Sequence, residues 1–315
     1  MRVSKVVAPR TSRITEEPDP EPGARQVLVE VIACGVCTSD LGVWRSGGDS
    51  SGNPVLLGHE VVGRVRSVGE GAGRWRPGDI VTGLGGGGFA ELVVLDGDSI
   101  LPVPAGVDPV LAIGEPVADL EEALARTQPR PGSTIAVVGL GFMGLGILQL
   151  AKTRAPSRLI GVDPSPAARE RALALGADLV FAPEELEAAF AVTDAGDPRP
   201  DIVLEVTGAT AGLETAGGLA RPFGTLGVVG YHHTGDAMLD MRLWYKAVTV
   251  VNGFCPERPR LMVAMRDALQ LIAERRISYE PLITHRVGLD GIDAAYELMD
   301  ARDASFVKSV MMPAL

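Results

Sequence analysis

The chain has little of several things. Aromatic residues make up only 4% of its 315 positions, too few for the stacking platforms that grip single-stranded nucleic acid. Positive charge is in deficit: 29 Lys and Arg stand against 40 Asp and Glu, a formal net charge of −11. That balance argues against nucleic acid or an anionic membrane surface as the main partner. There are three cysteines, Cys34, Cys37 and Cys255. They make no disulfide framework, and a reducing, cytoplasmic setting is expected. No apolar run approaches the roughly 18–20 residues that span a bilayer. The first residues lack the apolar segment and cleavage site of a secretory signal, so none is expected. Internal repeats and low-complexity segments are also missing.

What remains is ordinary for a globular protein with a large core: 46% hydrophobic and 22% charged residues. The length suits about two domains. The first part is strand-rich, with β-branched runs at 27–33, 60–68, 79–82 and 89–95 bounded by Gly, Pro and polar turns. It reads as a compact β domain with long loops, and prolines near 103–111 mark the approach to a boundary. From Ser133 the rhythm changes to strand, glycine turn, helix. Strands are expected at 134–138, 159–162, 179–181, 202–206, 225–229 and 248–251, with helices such as 144–155, 166–175, 211–219 and 261–274 between most of them. Such alternation predicts an α/β fold with a doubly wound parallel sheet. The tail, a helix at 289–299 and a strand at 307–311, is expected to return to the first domain.

Gly139-Leu140-Gly141-Phe142-Met143-Gly144 is a G-x-G-x-x-G between a strand and a helix. In that context it reads as a dinucleotide fingerprint. Gly139 permits the tight turn, Gly141 lets the backbone approach a pyrophosphate, and Gly144 allows close helix–strand packing. The helix N-terminus offers N–H donors to the anion. Asp163 sits about twenty residues on, at the next strand end. A carboxylate there accepts from the adenosine ribose hydroxyls and repels a 2′-phosphate, so NAD is expected over NADP. Its bland alternative is a helix cap in a packing turn.

A second group precedes this one. Cys34-Gly35-Val36-Cys37 has C-x-x-C spacing, but no second C-x-x-C completes a zinc ribbon. Cys34 ends a strand and is expected to be a buried small thiol; Cys37 is the better ligand. His59 and Glu60 lie in a loop just before a strand, and Glu115 follows near a helix start. A thiolate, an imidazole and carboxylates form a zinc-like donor set. Asp40 is a candidate to orient His59.

In Cys34-Gly35-Val36-Cys37-Thr38-Ser39-Asp40, Gly58-His59-Glu60, Arg76-Pro77-Gly78-Asp79, the glycine fingerprint and the tail around 289–308, the chain resembles the zinc-dependent medium-chain alcohol and polyol dehydrogenases. The resemblance is to the sorbitol and threonine dehydrogenase-like branch and spans nearly the whole chain. It implies a GroES-like β catalytic domain at 1–118 and 284–315 around a Rossmann NAD-binding domain at 119–283. It implies a catalytic zinc on Cys37, His59 and a third group, with Glu60 and Glu115 both candidates. Ser39 would take the proton of the alcohol. Glu115 matches the glutamate of the polyol branch, which points to a secondary alcohol or ketone among polyols, sugars or cyclitols. A homodimer or homotetramer is expected.

Three departures from the family stand out. The four-cysteine lobe that often holds a structural zinc is deleted, since residues 79–91 join the flanking motifs directly. One zinc site per chain is therefore expected. Gly42 stands where a histidine often completes a proton relay. Asp119, Glu121 and Glu122 occupy a stretch that is usually apolar or small. His232, His233, Trp244, Tyr245 and Arg258 are polar candidates for hydroxyl recognition or for rim positions. The alternatives are a zinc-free quinone or enone reductase of the same superfamily, a lyase or epimerase with tightly held NAD, and a non-catalytic NAD sensor.

Overall fold

A computed structural model of the chain describes residues 1–193, 196–232 and 242–315. They divide into two compact units, Met1–Ala118 with Met262–Leu315, and Asp119–Leu261. The sequence places the return of the chain at residue 284; the contacts place it at Met262.

The first unit opens with β1 (Arg2–Ala8), β2 (Thr11–Glu16) and β3 (Gln26–Gly35), then α1 (Leu41–Ser46), β4 (Val55–Leu56) and β5 (Glu60–Val68). β6 (Ile80–Leu84), β7 (Leu92–Asp96) and β8 (Ile100–Pro102) follow, and α2 (Gly114–Arg126) crosses the boundary. β2, β1 and β4 form a small sheet. β3 runs antiparallel to β5 and to β7, and β5, β6 and β8 continue the larger sheet. Strand periodicity explains the core: Val27, Val29 and Val31 alternate onto one face of β3 and pack with Val61, Val65, Val81 and Trp44.

The second unit alternates strand and helix: β9 (Thr134–Val138), α3 (Phe142–Lys152), β10 (Arg158–Val162), α4 (Pro166–Ala174), β11 (Leu179–Phe181), α5 (Leu186–Ala189) and β12 (Ile202–Glu205). Then come α6 (Thr210–Leu219), β13 (Thr225–Val228), α7 (Arg242–Tyr245) and β14 (Thr249–Asn252). All pairings in this sheet are parallel, in the order β11-β10-β9-β12-β13-β14. Its strands are continuous apolar runs, as expected of a sheet covered on both faces. The strand order reverses between β9 and β12, which is where such sheets bind dinucleotides.

The chain then re-enters the first unit through α8 (Arg258–Ala273), β15 (Ile283–Val287), α9 (Ile292–Asp300) and β16 (Lys308–Met311). β16 pairs antiparallel with β3, so the larger sheet reads β15-β16-β3-β5-β6-β8. The last strand of the sequence therefore lies beside the strand that ends at Gly35. No helix among the described residues is long and apolar enough to cross a membrane.

Candidate metal and cofactor sites

Two glycines shape the metal cluster. Gly35 ends β3 directly opposite Glu60, the first residue of β5. A Cβ on Gly35 would lie 1.7 Å from Glu60 Oε2, so only glycine leaves room for the carboxylate. Gly58 has φ +92°, and a Cβ there would come within 2.8 Å of the Phe89 main-chain nitrogen and 3.0 Å of Cys34 Sγ. These constraints turn the loop before β5 back toward the end of β3. Donor atoms of Cys37, His59 and Glu60 then lie within 4.8 Å of one another, the one such group among the described residues.

The surroundings hold this cluster in place. His59 Nδ1 lies 3.5 Å from Asp40 Oδ1, and Asp40 Oδ2 accepts from the Tyr296 hydroxyl at 3.3 Å. Tyr296 stacks on Trp44, whose indole N–H donates to Asp293 at 2.9 Å. Burial disfavours the charged His59 ring, but hydrogen bonds and charge from Asp40 and Cys37 outweigh it and raise the pKa to about 11. The exposed Ser39 hydroxyl donates to Cys37 Sγ at 3.3 Å. Cys34, fully buried, has its thiol pushed well up by burial and by the nearby Glu60 charge, which keeps it neutral and a poor ligand.

Glu60 is the most constrained member. It is 1% exposed, and Oε1 accepts from Lys308 Nζ at 2.6 Å. Oε2 is buried with no hydrogen-bond partner. Burial favours loss of the Lys308 proton, yet Glu60, Cys37 and Glu115 together hold its pKa above the ordinary value. Glu115, in the first turn of α2, lies outside the three-residue cluster. Its charge is felt at Lys308 and at Tyr279, whose hydroxyl is pushed well above the usual range by burial and by Glu60 and Glu115. A thiolate, an imidazole and a carboxylate with an orphaned buried oxygen fit a zinc ion that keeps an open coordination position.

In the second unit, Gly139 turns with φ +94°, and a Cβ on Gly144 would lie 1.8 Å from the Gly139 carbonyl oxygen. A Cβ on Gly141 would meet no protein atom within 4 Å, which leaves an open cradle at the start of α3. Phe142 and Met143 form the first turn of that helix, and Leu140 is buried beneath it. The arrangement fits a pyrophosphate held by main-chain N–H groups. Asp163 Oδ2 accepts from Leu140 N–H at 2.8 Å, and Oδ1 accepts from Ser165 N–H at 2.8 Å. Arg169 lies alongside and donates to the carbonyls of Asp163 and Pro164. The cap of α4 itself is Ser165, whose hydroxyl accepts from Ala168 N–H.

Two residues of the acidic run on α2 sit in ion pairs: buried Glu121 pairs with Arg154, and buried Glu122 with Arg260. His232 meets the fully buried Glu205. Trp244 and Tyr245 form an exposed edge-to-face pair, and Arg258 opens α8. His233 lies outside the described residues. Sequence reasoning missed Lys308 and Glu205. The one signal for Lys308 is a lysine heading an otherwise small and apolar strand.

Two family profiles match the chain: the one described as alcohol dehydrogenase GroES-like domain over residues 23–105, and the one described as zinc-binding dehydrogenase over residues 143–274. The chain is 28% identical to a sorbitol dehydrogenase of Halalkalibacterium halodurans, over 95% of each chain. It is also 28% identical to an L-threonine 3-dehydrogenase of Pyrococcus abyssi, over 92% of each. Among solved structures, an alcohol dehydrogenase from Thermus sp. ATN1 superposes with a TM-score of 0.85 at 25% identity, covering 99% of both chains.

Proposed function

We infer the activity from one premise: this chain belongs to the zinc-dependent medium-chain alcohol and polyol dehydrogenase family, and it is an oxidoreductase that moves a hydride between a nicotinamide cofactor and an alcohol or its ketone. The reading extends to one zinc per chain, NAD rather than NADP, and a polyol, sugar or cyclitol bearing a secondary alcohol. The observation that carries it is the convergence of Cys37, His59 and Glu60 within 4.8 Å, where Glu60 keeps one buried oxygen without a partner.

Zinc on these three residues supplies a Lewis acid for the substrate oxygen, and the nicotinamide supplies the hydride acceptor. The chain's own residues do the rest. Asp40 holds the His59 ring through Nδ1 and is itself held by Tyr296. Lys308 balances the charge of Glu60. Ser39 Oγ takes the hydroxyl proton of the substrate. With Gly42 in place of a relay histidine and Ser39 exposed, that proton passes directly to water. Asp163 accepts from the adenosine ribose hydroxyls.

The single zinc is supported by cysteine supply: Cys34 is a buried neutral thiol, and the remaining cysteines cannot make a four-thiolate site. Polyhydroxylated substrates are supported by the sorbitol dehydrogenase relative and by a glutamate at 115. A homodimer or homotetramer is supported by β14, the last strand of its sheet, which carries the exposed Val250 on an edge suited to pairing with a second copy.

The test is NAD reduction across polyols, sugars, cyclitols and simple secondary alcohols, with and without a zinc chelator, alongside elemental analysis. Chelator-sensitive turnover on one polyhydroxylated class, with one zinc per chain, is expected. Turnover that persists in metal-free protein would overturn the zinc assignment.

A further inference from the structure

Glu205, the last residue of β12, is 0% exposed. A carboxylate withdrawn from water needs hydrogen bonds to nearly every lone pair. Oε1 accepts from the main-chain N–H of Thr207 at 2.6 Å and of Gly208 at 2.9 Å, and from the Thr207 hydroxyl. Its main-chain carbonyl accepts from Val229 and Gly230. Thr207 in turn packs against the fingerprint, since a Cβ on Gly139 would lie 2.7 Å from Thr207 Cγ2. One acidic residue thus ties together the loops at the carboxyl ends of β9, β12 and β13.

Oε2 remains for His232, whose Nε2 lies 3.0 Å away. A carboxylate only accepts, so Nε2 carries a proton, and in the neutral ring Nδ1 then presents a lone pair. Among the described residues Nδ1 has no protein partner, and the side chain is 14% exposed. Its place in the topology matters. The strand order reverses between β9 and β12. A dinucleotide crossing that point puts its adenosine half on the β9–β10 side, where Asp163 sits, and its other half on the β12–β13 side.

We propose that His232, oriented by Glu205, is a cofactor-positioning residue whose Nδ1 accepts from the carboxamide N–H of the nicotinamide. Glu205 acts through His232 by fixing its tautomer and its ring. The proposal rests on the nicotinamide reading above and adds a ligand contact to it. Neither residue makes or breaks a bond in the reaction.

The experiment compares binding of NADH and of ADP-ribose, which lacks the nicotinamide, by calorimetry on zinc-loaded wild-type protein and on His232→Ala and His232→Gln. Gln keeps a donor for Glu205, and its amide oxygen can replace Nδ1 as an acceptor. His232→Ala is expected to bind NADH about 5–10-fold more weakly, the size of one lost hydrogen bond, with ADP-ribose affinity unchanged and a lower melting temperature because Glu205 Oε2 is stranded. His232→Gln is expected to restore most of both losses. Equal losses for both ligands, or no loss for either, overturn the proposal and leave the nicotinamide reading standing. Failure of the wild-type protein to bind either ligand overturns that reading, and the proposal with it.

Discussion

Lys308 Nζ meets Glu60 Oε1 at 2.6 Å across Gly35, although the two residues lie 248 positions apart in the chain. β16 and β5 both pair with β3, so Val310 and Glu60 flank Gly35 on either side. Lys308 lies two residues from Val310 and therefore on the same face of its strand. A side chain at position 35 would stand between the partners. The pair fixes one oxygen of Glu60, and the other, buried without a hydrogen-bond partner, is the one the proposed zinc would use.

Lys308→Met should destabilise the protein by about 3–5 kcal/mol, because it strands a buried carboxylate. Lys308→Met combined with Glu60→Gln should cost less than the sum of the single changes, since the uncompensated charge is gone. Urea unfolding of the metal-free proteins measures both. Additive losses would show that the pair is not coupled.

Asp40→Ala should lower zinc affinity by about 10–100-fold, the usual effect of removing a group that orients a ligand. Tyr296→Phe should do less, because it removes only the 3.3 Å hydrogen bond to Asp40 and leaves the ring stacked on Trp44. Competition with a chromogenic chelator gives both affinities. Unchanged affinity in Asp40→Ala would mean that His59 is held by its loop alone.

The parts of these sites that were legible in the sequence are local. Cys37, His59 and Glu60 sit in short segments where glycine marks a close approach, and Gly35 and Gly58 prove to be the positions where a Cβ would collide. The strand-helix alternation from Ser133 likewise needs only neighbouring residues. What stayed hidden depends on pairing between distant strands. Nothing in Lys308-Ser309-Val310-Met311 says that it lies between β15 and β3, and so nothing says that its lysine finds a buried glutamate. The partners of Glu121 and Glu122, Arg154 and Arg260, come from the turn after α3 and from α8, and stay hidden for the same reason. β2, with the charged pattern Thr11–Glu16, and the short β15 lack the apolar alternation that marks a strand.

Metal-free protein should carry a protonated His59 at pH 8. Its pKa is raised from 6.5 to about 11. A raised folded-state value adds stability that is fully present below about 6.5 and is lost as pH rises through about 11. Zinc binds the neutral ring, so loading must expel this proton. Nitrogen shifts of the His59 ring are expected to report imidazolium in the metal-free protein at pH 8 and neutral imidazole once zinc is added. A neutral ring before zinc would show that Asp40 and Cys37 do not sustain the charge.

Cofactor choice should turn on Asp163, whose two oxygens already accept from Leu140 and Ser165 N–H. Each oxygen keeps a further lone pair for a ribose hydroxyl, while its charge opposes a 2′-phosphate. Arg169 is the nearest counterweight, but it donates two hydrogen bonds to main-chain carbonyls. The carboxylate should therefore prevail and the wild-type protein should prefer NADH. Asp163→Asn keeps an acceptor for Leu140 N–H, removes the charge and gives up the acceptor for Ser165 N–H, so it should shift the NADPH-to-NADH affinity ratio toward NADPH by about tenfold or more. Asp163→Ala should produce a similar shift and also weaken both cofactors, because the fingerprint loop loses its anchor. Equal shifts with no added loss in Asp163→Ala would separate the two roles and show that the loop holds itself. A wild-type preference for NADPH would mean that Arg169 leaves its carbonyls to meet the phosphate.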